Sequence, residues 1–492
     1  TERLKEAQLV MQPRGGHFSF RSAATREAVA ATVPVALALR IHEAALAHYR
    51  KSPLADATRL PSLAWHAARA GAHGEAARTF STIAERAREL HNYLEADLSY
   101  TRALAELEES NVDARLRALK GRGIVRYRLG RYDGSLADLE LARELATHGG
   151  DPIAQADVML EESTALDWLF EWRRSRELAE RARELVATDA PLGLKARVLL
   201  ALGRSNHRFN QDKEAAELLR DATRIAQSLG DDGYEVEVAG GLLLGFLLPF
   251  IGLPEEAQER LDRVAAICKS KGDEMHLGAL WNNRSCLWIA LNDRSRFMAD
   301  NGRVLAYAQR MGNANLERNA NLNSAYFLYW RAEFGAAEPF ARRLIEIDER
   351  YFRQGGFRPD GAVLLARILW GAGDAESARK LIDDVRRHQE KARTESKEEL
   401  LLQPNDEMLL DMISMAVLGG TAPEWTELAQ RARVVAQGQE LIEVLEVAGV
   451  AALRRGERDE ARRWWEEALH AGQRIPNVMG PRISGRLQEL GN

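Results

Sequence analysis

With 492 residues, 46% of them hydrophobic, 29% charged and 7% aromatic, the chain carries enough apolar surface to offset its conformational entropy, which excludes intrinsic disorder. Its 68 lysines and arginines against 73 aspartates and glutamates leave a net charge of −5, so the basic surplus behind nonspecific phosphate binding is missing and no nucleic-acid partner is expected. Cys268 and Cys286 stand 18 residues apart without a CxxC, which indicates neither a disulfide framework nor a zinc site and fits a reducing cytoplasm.

The lack of an initiator Met, and of an apolar run in Thr1–Val10, gives the expectation of a piece of a longer polypeptide without a secretory signal. Residues 1–60 hold an aromatic pair, Phe18 and Phe20, after Gly15 and Gly16, then a helical run, Pro34, and a second helical run with Arg40 and His42. Beyond residue 60 a turn glycine followed five positions on by a small residue recurs: Gly130 before Ser135, Gly252 before Ala257, Gly373 before Ala378, Gly456 before Ala461. The small-residue markers Ala96, Ser135, Ser175, Ala215, Ala257, Met298, Ala337 and Ala378 step by 39, 40, 40, 42, 41, 39 and 41. Ala461 follows after 83, two repeats with Trp425 between. A constant step near 40 means a solenoid of helical hairpins. Ala76 and Ala96, only 20 apart, leave the frame between Glu75 and Ser110 open to a half-repeat or a change of frame.

Helix ends recur at the same period, as THGGD before Pro152, SLGDD before Gly233, SKGD before Glu274 and RMGN before Ala314. Glycine there accepts the left-handed conformation, and the Asp or Asn caps the next helix. Between turns the apolar residues fall at three and four spacings, as in Leu218, Leu219, Ala222, Ile225, Ala226 and Leu229. The uncharged run Val238–Pro254 is 17 residues long with two prolines and four glycines, short of the roughly 20 a spanning helix needs. It reads as a buried helix, and no membrane partner is expected. The charged run Glu390–Glu399 reads as an exposed helix extension or mobile loop, and residues 476–492 as a polar capping helix.

The last repeat, GVAALRRGERDEARRWWEEAL, with Gly449, Gly456, Ala461, Trp465 and Ala468, resembles the tetratricopeptide repeat, in which small residues let two helices cross closely and an aromatic fills the groove behind them. LALGR at Leu200–Arg204 with Ala215, and WHAARAGAHGEAARTF at Trp65–Phe80, resemble it too. The step exceeds the usual spacing of about 34 and is similar to the long-helix arrays found C-terminally in large bacterial signalling proteins. In the first sixty residues, Phe20, Arg21, Arg26, Pro34, Arg40 and His42 resemble the connection between the winged-helix element and the repeats in bacterial signal-transducing ATPases with numerous domains, such as maltose-regulon activators or kinase-fused regulators. Ser22 stands where those proteins commonly carry His.

The resemblance implies an all-α, right-handed superhelical solenoid of about 40 residues per repeat. Residues 1–60 would be the tail of a winged-helix-like element and a connecting helix, 61–474 the array and 475–492 the cap. It also implies an ATPase or kinase module upstream in the same polypeptide; the chain itself holds no GxxxxGK[ST] with which to cradle a nucleotide phosphate.

Chemistry-bearing motifs are missing: there is no HExxH and no GxSxG, and both cysteines sit in apolar helical contexts, AAICKS and RSCLWI. His66 and His73 flank Gly71 and share a face only on an unbroken helix. Adjacent carboxylates such as Glu161 and Glu162, Asp231 and Asp232, or Glu466 and Glu467 point apart on a helix. No enzyme activity, cofactor or metal is therefore expected.

The tetratricopeptide resemblance further implies that the first helix of each hairpin lines the concave groove. Residues one, four and five places after its small residue then point inward. This places Arg204, His207, Arg208, Asn282, Tyr326, Tyr329, Trp330, Arg367 and Trp370 on a ligand- or peptide-binding face. Guanidinium forks beside rigid aromatics suit a peptide or a carboxylate-bearing ligand. The stretch Asn313–Asn323 adds amides suited to a peptide backbone, with capping accounting for Asn313 and Asn315. The expected function is a nonenzymatic arm that senses a protein, a peptide or a small-molecule effector and acts on the upstream module by conformational change. A passive protein-protein scaffold is the alternative.

Overall fold

The computed structural model describes residues 6–7, 9–11, 19–169, 171–188, 190–209, 211–351, 359–395, 401–436, 438–473 and 477–491. Gly15, Gly16 and Phe18, residues 396–399 of the charged run, and Pro476 lie outside the described residues. Two compact units divide the chain, residues 1–151 and 152–492.

In the first unit a two-residue strand pair, β1 (Val10–Met11) and β2 (Ser19–Phe20), sets Val10 opposite Phe20. The helices α1 (Ala23–Thr32), α2 (Val35–Lys51), α3 (Asp56–Arg69), α4 (His73–Glu89), α5 (Tyr93–Glu106), α6 (Val112–Arg128) and α7 (Tyr132–Gly149) follow. Ser22 is the N-cap of α1, its hydroxyl accepting from Thr25 N at 3.0 Å. The helix breaks between His66 and His73, so they share no face; His66 meets His42 of α2, Nδ1 to Nδ1 at 3.0 Å.

The second unit consists of α8 (Pro152–Trp168), α9 (Trp172–Leu185), α10 (Leu192–Arg208), α11 (Asp212–Ser228), α12 (Tyr234–Leu247), α13 (Pro254–Lys271), α14 (Glu274–Ala290), α15 (Arg294–Met311) and α16 (Ala314–Trp330). It continues through α17 (Phe334–Tyr351), α18 (Asp360–Gly371), α19 (Ala375–Thr394), α20 (Pro404–Leu418), α21 (Ala422–Val435), α22 (Gln439–Arg454), α23 (Arg458–Ala471) and α24 (Gly480–Gly491). Each even-numbered helix from α4 to α22 forms a hairpin with the helix after it.

The hairpins close because the first helix is small where the second is large. Gly123, Gly203, Gly245 and Gly449 each lie sixteen residues before the side chain that covers them: Leu139, Leu219, Leu261 and Trp465. A Cβ at these glycines would stand 2.7, 2.8, 2.3 and 2.3 Å from those side chains. Ser163, Ser285, Ala325 and Ala366 hold the same place in other hairpins and are buried. Twelve residues after these positions stand Ser135, Ser175, Ala215, Ala257, Ala337, Ala378 and Ala461, also buried. In α15 that place belongs to Phe297, fully buried against Phe327 at 4.6 Å, and not to Met298. Trp425, fully buried, takes it in α21. Ala76 and Ala96 lie on α4 and α5, so their 20 residues are the spacing within a hairpin.

Gly449→Ala drives a methyl into the Trp465 indole, whose Nε1 is already tied to Glu446 O at 3.1 Å and has no room to move. We expect a loss of about 1–3 kcal/mol, read as an earlier urea midpoint together with faster amide exchange in α22 and α23.

The turns carry the conformations their residues suit. Gly150, Gly230, Gly272 and Gly312 close their helices with φ of 69°, 60°, 67° and 63°. Asp273 and Asn313 then cap α14 and α16, each accepting from a backbone N–H three residues on at 3.0 Å. The segment Gly230–Ile251 is long and apolar enough to cross a membrane by length and composition, but Val238, Leu242, Leu244, Leu247 and Leu248 are buried among neighbouring helices. At the other end α24 buries Ile483 and Leu490 and packs on α23.

Within the second unit each first helix touches the first helix of the next hairpin, as α10 touches α12 and α18 touches α20, while second helices meet the next hairpin through its first helix. The first helices therefore lie on the inside of the curve. Polar partners repeat at the same period: Arg197 with Asp157, Lys271 with Asp231, Tyr234 with Asp273 and Arg318 with Asp360 are 40, 40, 39 and 42 residues apart.

Candidate ligand-binding site on the inner face

Inward positions of neighbouring first helices satisfy one another. On α10, Arg204 donates to Thr164 Oγ1 at 3.1 Å and Ser163 Oγ at 3.2 Å, and Arg208 grips both Asp167 oxygens at 3.0 and 2.8 Å, all on α8. His207 faces Asp212 at 2.7 Å. Asn282 lies one helical turn before Ser285, the small residue of α14, and its Oδ1 accepts from Asn323 Nδ2 at 3.4 Å.

Four of the other residues expected on the groove meet around one carboxylate. Glu443 of α22 accepts from Arg367 Nε at 2.7 Å, from the Tyr329 hydroxyl at 2.8 Å and from Trp330 Nε1 at 3.1 Å; Arg367 Nη2 completes a bidentate pair. Arg367 also donates to the Tyr326 hydroxyl at 3.3 Å, and its guanidinium lies 5.1 and 5.0 Å from the Tyr326 and Tyr329 ring centres. Tyr326 and Trp330 sit 5.1 Å apart, centre to centre. Arg367 and Glu443 are both 0% exposed. Arg482 of α24 donates to Tyr329 O at 3.3 Å, so the end of the unit folds back onto α16. Trp370, half-buried, lies under Arg454 at 5.0 Å.

Arg204, Arg208, Tyr329, Trp330 and Arg367, expected as an open lining, have internal hydrogen-bond partners. The polar atoms of Arg204 and Arg208 are turned onto α8 of the preceding hairpin, and those of Tyr329, Trp330 and Arg367 onto Glu443 two or three hairpins further along. Glu443 is the residue that sequence reasoning missed, and being 76 and 114 residues from Arg367 and Tyr329 it left no local signal.

Beside this cluster three successive first helices begin with acids: Asp360 on α18, Asp406 on α20 and Glu440 on α22. Arg318 takes Asp360 at 2.6 Å and Asp348 at 2.6 and 3.1 Å. Among the described residues neither Asp406 nor Glu440 is hydrogen-bonded to a guanidinium, although Arg367 acts on both through its charge. Burial, then the charge of Asp360, pushes the Asp406 carboxyl up to about 6. Burial, with Glu443 and Asp406 nearby, pushes Glu440 up to about 7. Glu440 Oε2 and Asn405 Oδ1 are shut off from solvent without a hydrogen-bond partner.

Nothing in this arrangement resembles an activated nucleophile: burial pushes the Cys268 and Cys286 thiols up to about 12. Among the described residues no group of three His, Cys, Asp or Glu side chains is placed to hold a metal ion.

No protein-family model and no curated protein sequence matches the chain. Among solved structures it is similar to the signal-transduction ATPase with numerous domains that carries a tetratricopeptide-repeat sensor, from Pyrococcus horikoshii, at 15% identity over 78% of this chain and 57% of that one, with a TM-score of 0.44. It is also similar to a Rap protein complexed with Competence and Sporulation Factor, at 14% identity over 65% and 99% of the two chains, TM-score 0.48. A third likeness is to the apo quorum sensor NprR from B. thuringiensis, at 12% identity over 70% and 98%, TM-score 0.49. The chain thus spans little more than half the length of the first of these. The architecture of the described residues, taken from their own packing, is an array of helical hairpins.

Proposed function

We propose that the chain is a nonenzymatic binding arm that takes up a peptide or protein partner along the inner face of its first helices and passes the event on as a change of helical pitch. The observation that carries this reading is the Glu443 hub. One carboxylate ties α16, α18 and α22 together, and Arg482 ties α24 to the same point, so a ligand entering between these helices must act on several hairpins at once. The receiver of the change would be an ATPase or kinase module of the same polypeptide, with residues 1–60 as the connection. A partner that binds without altering pitch is the scaffold alternative.

The test is capture of a partner on the purified chain followed by small-angle scattering with and without it. A change in the scattering profile on binding supports the sensing arm. Superimposable profiles replace it by the scaffold, and failure to retain any peptide or protein removes both.

A further inference from the structure

We propose that Asp406 and Glu440 form a receptor site for a cationic side chain, an arginine or lysine of a bound peptide, on the inner face between α20 and α22. This rests on the peptide-binding reading above and deepens it.

The ionic partners around the site leave two acids over. Arg318 answers Asp348 and Asp360, and Arg367 answers Glu443. Asp406 and Glu440 face this same group, close enough to act on each other and on Arg367, yet neither forms an ion pair among the described residues. Both residues remain partly exposed.

A second observation concerns hydrogen bonds. Glu440 Oε2 is sealed from water with no donor, and so is the Oδ1 of Asn405, the residue next to Asp406. A buried acceptor without a donor is a rare and unfavourable state, which a donor-rich group entering the site would relieve. A guanidinium brings five N–H donors and an ammonium three, each with the charge that the two acids lack. The alternative, a metal ion, wants three or more ligands converging on a point, and the described residues offer no such group.

Tyr326 forms a neighbouring wall. Burial first, and then Asp406 and Glu440, raise its phenol above the ordinary value. The same burial leaves Glu440 partly protonated near pH 7 and Asp406 partly protonated near pH 6, so a cation entering the site displaces protons as it binds.

The probe is a set of three end-capped pentapeptide pools, random except for a central arginine, lysine or citrulline, the last being the neutral counterpart of arginine. Titrated into the full chain by calorimetry at low salt, the arginine and lysine pools should bind at least ten-fold more tightly than the citrulline pool. At pH 6.5 they should release protons, seen as a dependence of the heat on buffer ionisation. Glu440→Gln and Asp406→Asn keep shape and folding, and each should bring the cationic pools down to the citrulline level and abolish proton release.

Equal affinity for arginine and citrulline pools overturns the cationic site while leaving peptide binding intact. No binding by any pool overturns the site, and the partner-capture experiment then decides the broader reading separately. Free argininamide binding as tightly as the arginine pool overturns the peptide as the source of the cation. Unchanged arginine binding in both variants overturns the assignment of residues.

Discussion

Arg367→Met is expected to cost about 3–5 kcal/mol, because it strands the Glu443 carboxylate in a site where neither member of the pair is exposed. Glu443→Gln is expected to fall in the same range, because the amide offers the buried Arg367 guanidinium one acceptor oxygen in place of two and no countercharge. Both variants should loosen α16, α18 and α22 together, since Glu443 bonds to side chains on the other two helices. The double variant Arg367→Met with Glu443→Leu removes both charges, so it should recover much of the loss, short of full recovery because the Tyr329 hydroxyl and Trp330 Nε1 lose their acceptor. Urea unfolding followed at tryptophan, with amide exchange resolved by helix, measures this. Losses that simply add in the double variant would show that the pair is not coupled and would sink the account of the hub.

The second large effect is one of pH. Glu440 is held at about 7 against an ordinary 4.5, so between those values the folded chain keeps a proton that the unfolded chain has released. The stability from this proton is complete below about 4.5 and is lost as pH rises through about 7. Asp406, at about 6 against 3.8, adds a similar loss over a lower window. The groups facing Glu440 are Glu443 and Asp406, which favour its protonated form, and Arg367, which opposes it.

Glu440→Gln should therefore be more stable than the parent by roughly 2–3 kcal/mol at pH 8, with the difference shrinking toward pH 5. Urea midpoints taken from pH 5 to 8.5 should converge at the acid end. Two curves that stay parallel across the range would mean that Glu440 does not titrate abnormally in the folded chain.

What was legible in the sequence is what repeats locally. Glycine at 203 and 245 under leucine at 219 and 261 is a contact within one hairpin, fixed by two helices and a short turn, so its spacing survives as a period that can be counted. The same holds for the left-handed glycines at 150, 230, 272 and 312, and for Asp273 and Asn313 as caps, because each acts within a few residues of its partner. Even the slip at Met298 is of this kind. The period brings one to the right turn of α15, and only packing shows that Phe297, pressed on Phe327, is the residue that points inward.

The groove itself was beyond that reach. Arg204 and Arg208 look like free inward cations until α8 supplies Thr164 and Asp167 one repeat earlier, and Arg367 until Glu443 arrives from α22. The sequence by itself determined an array of helical hairpins and its period, since helix periodicity and close packing act over tens of residues. Only the tertiary structure decided which inward charges are answered by an ion pair and which, at Asp406 and Glu440, are not among the described residues. That depends on small rotations between successive hairpins adding up until side chains more than a hundred residues apart, such as Tyr329 and Glu443, come into hydrogen-bonding contact.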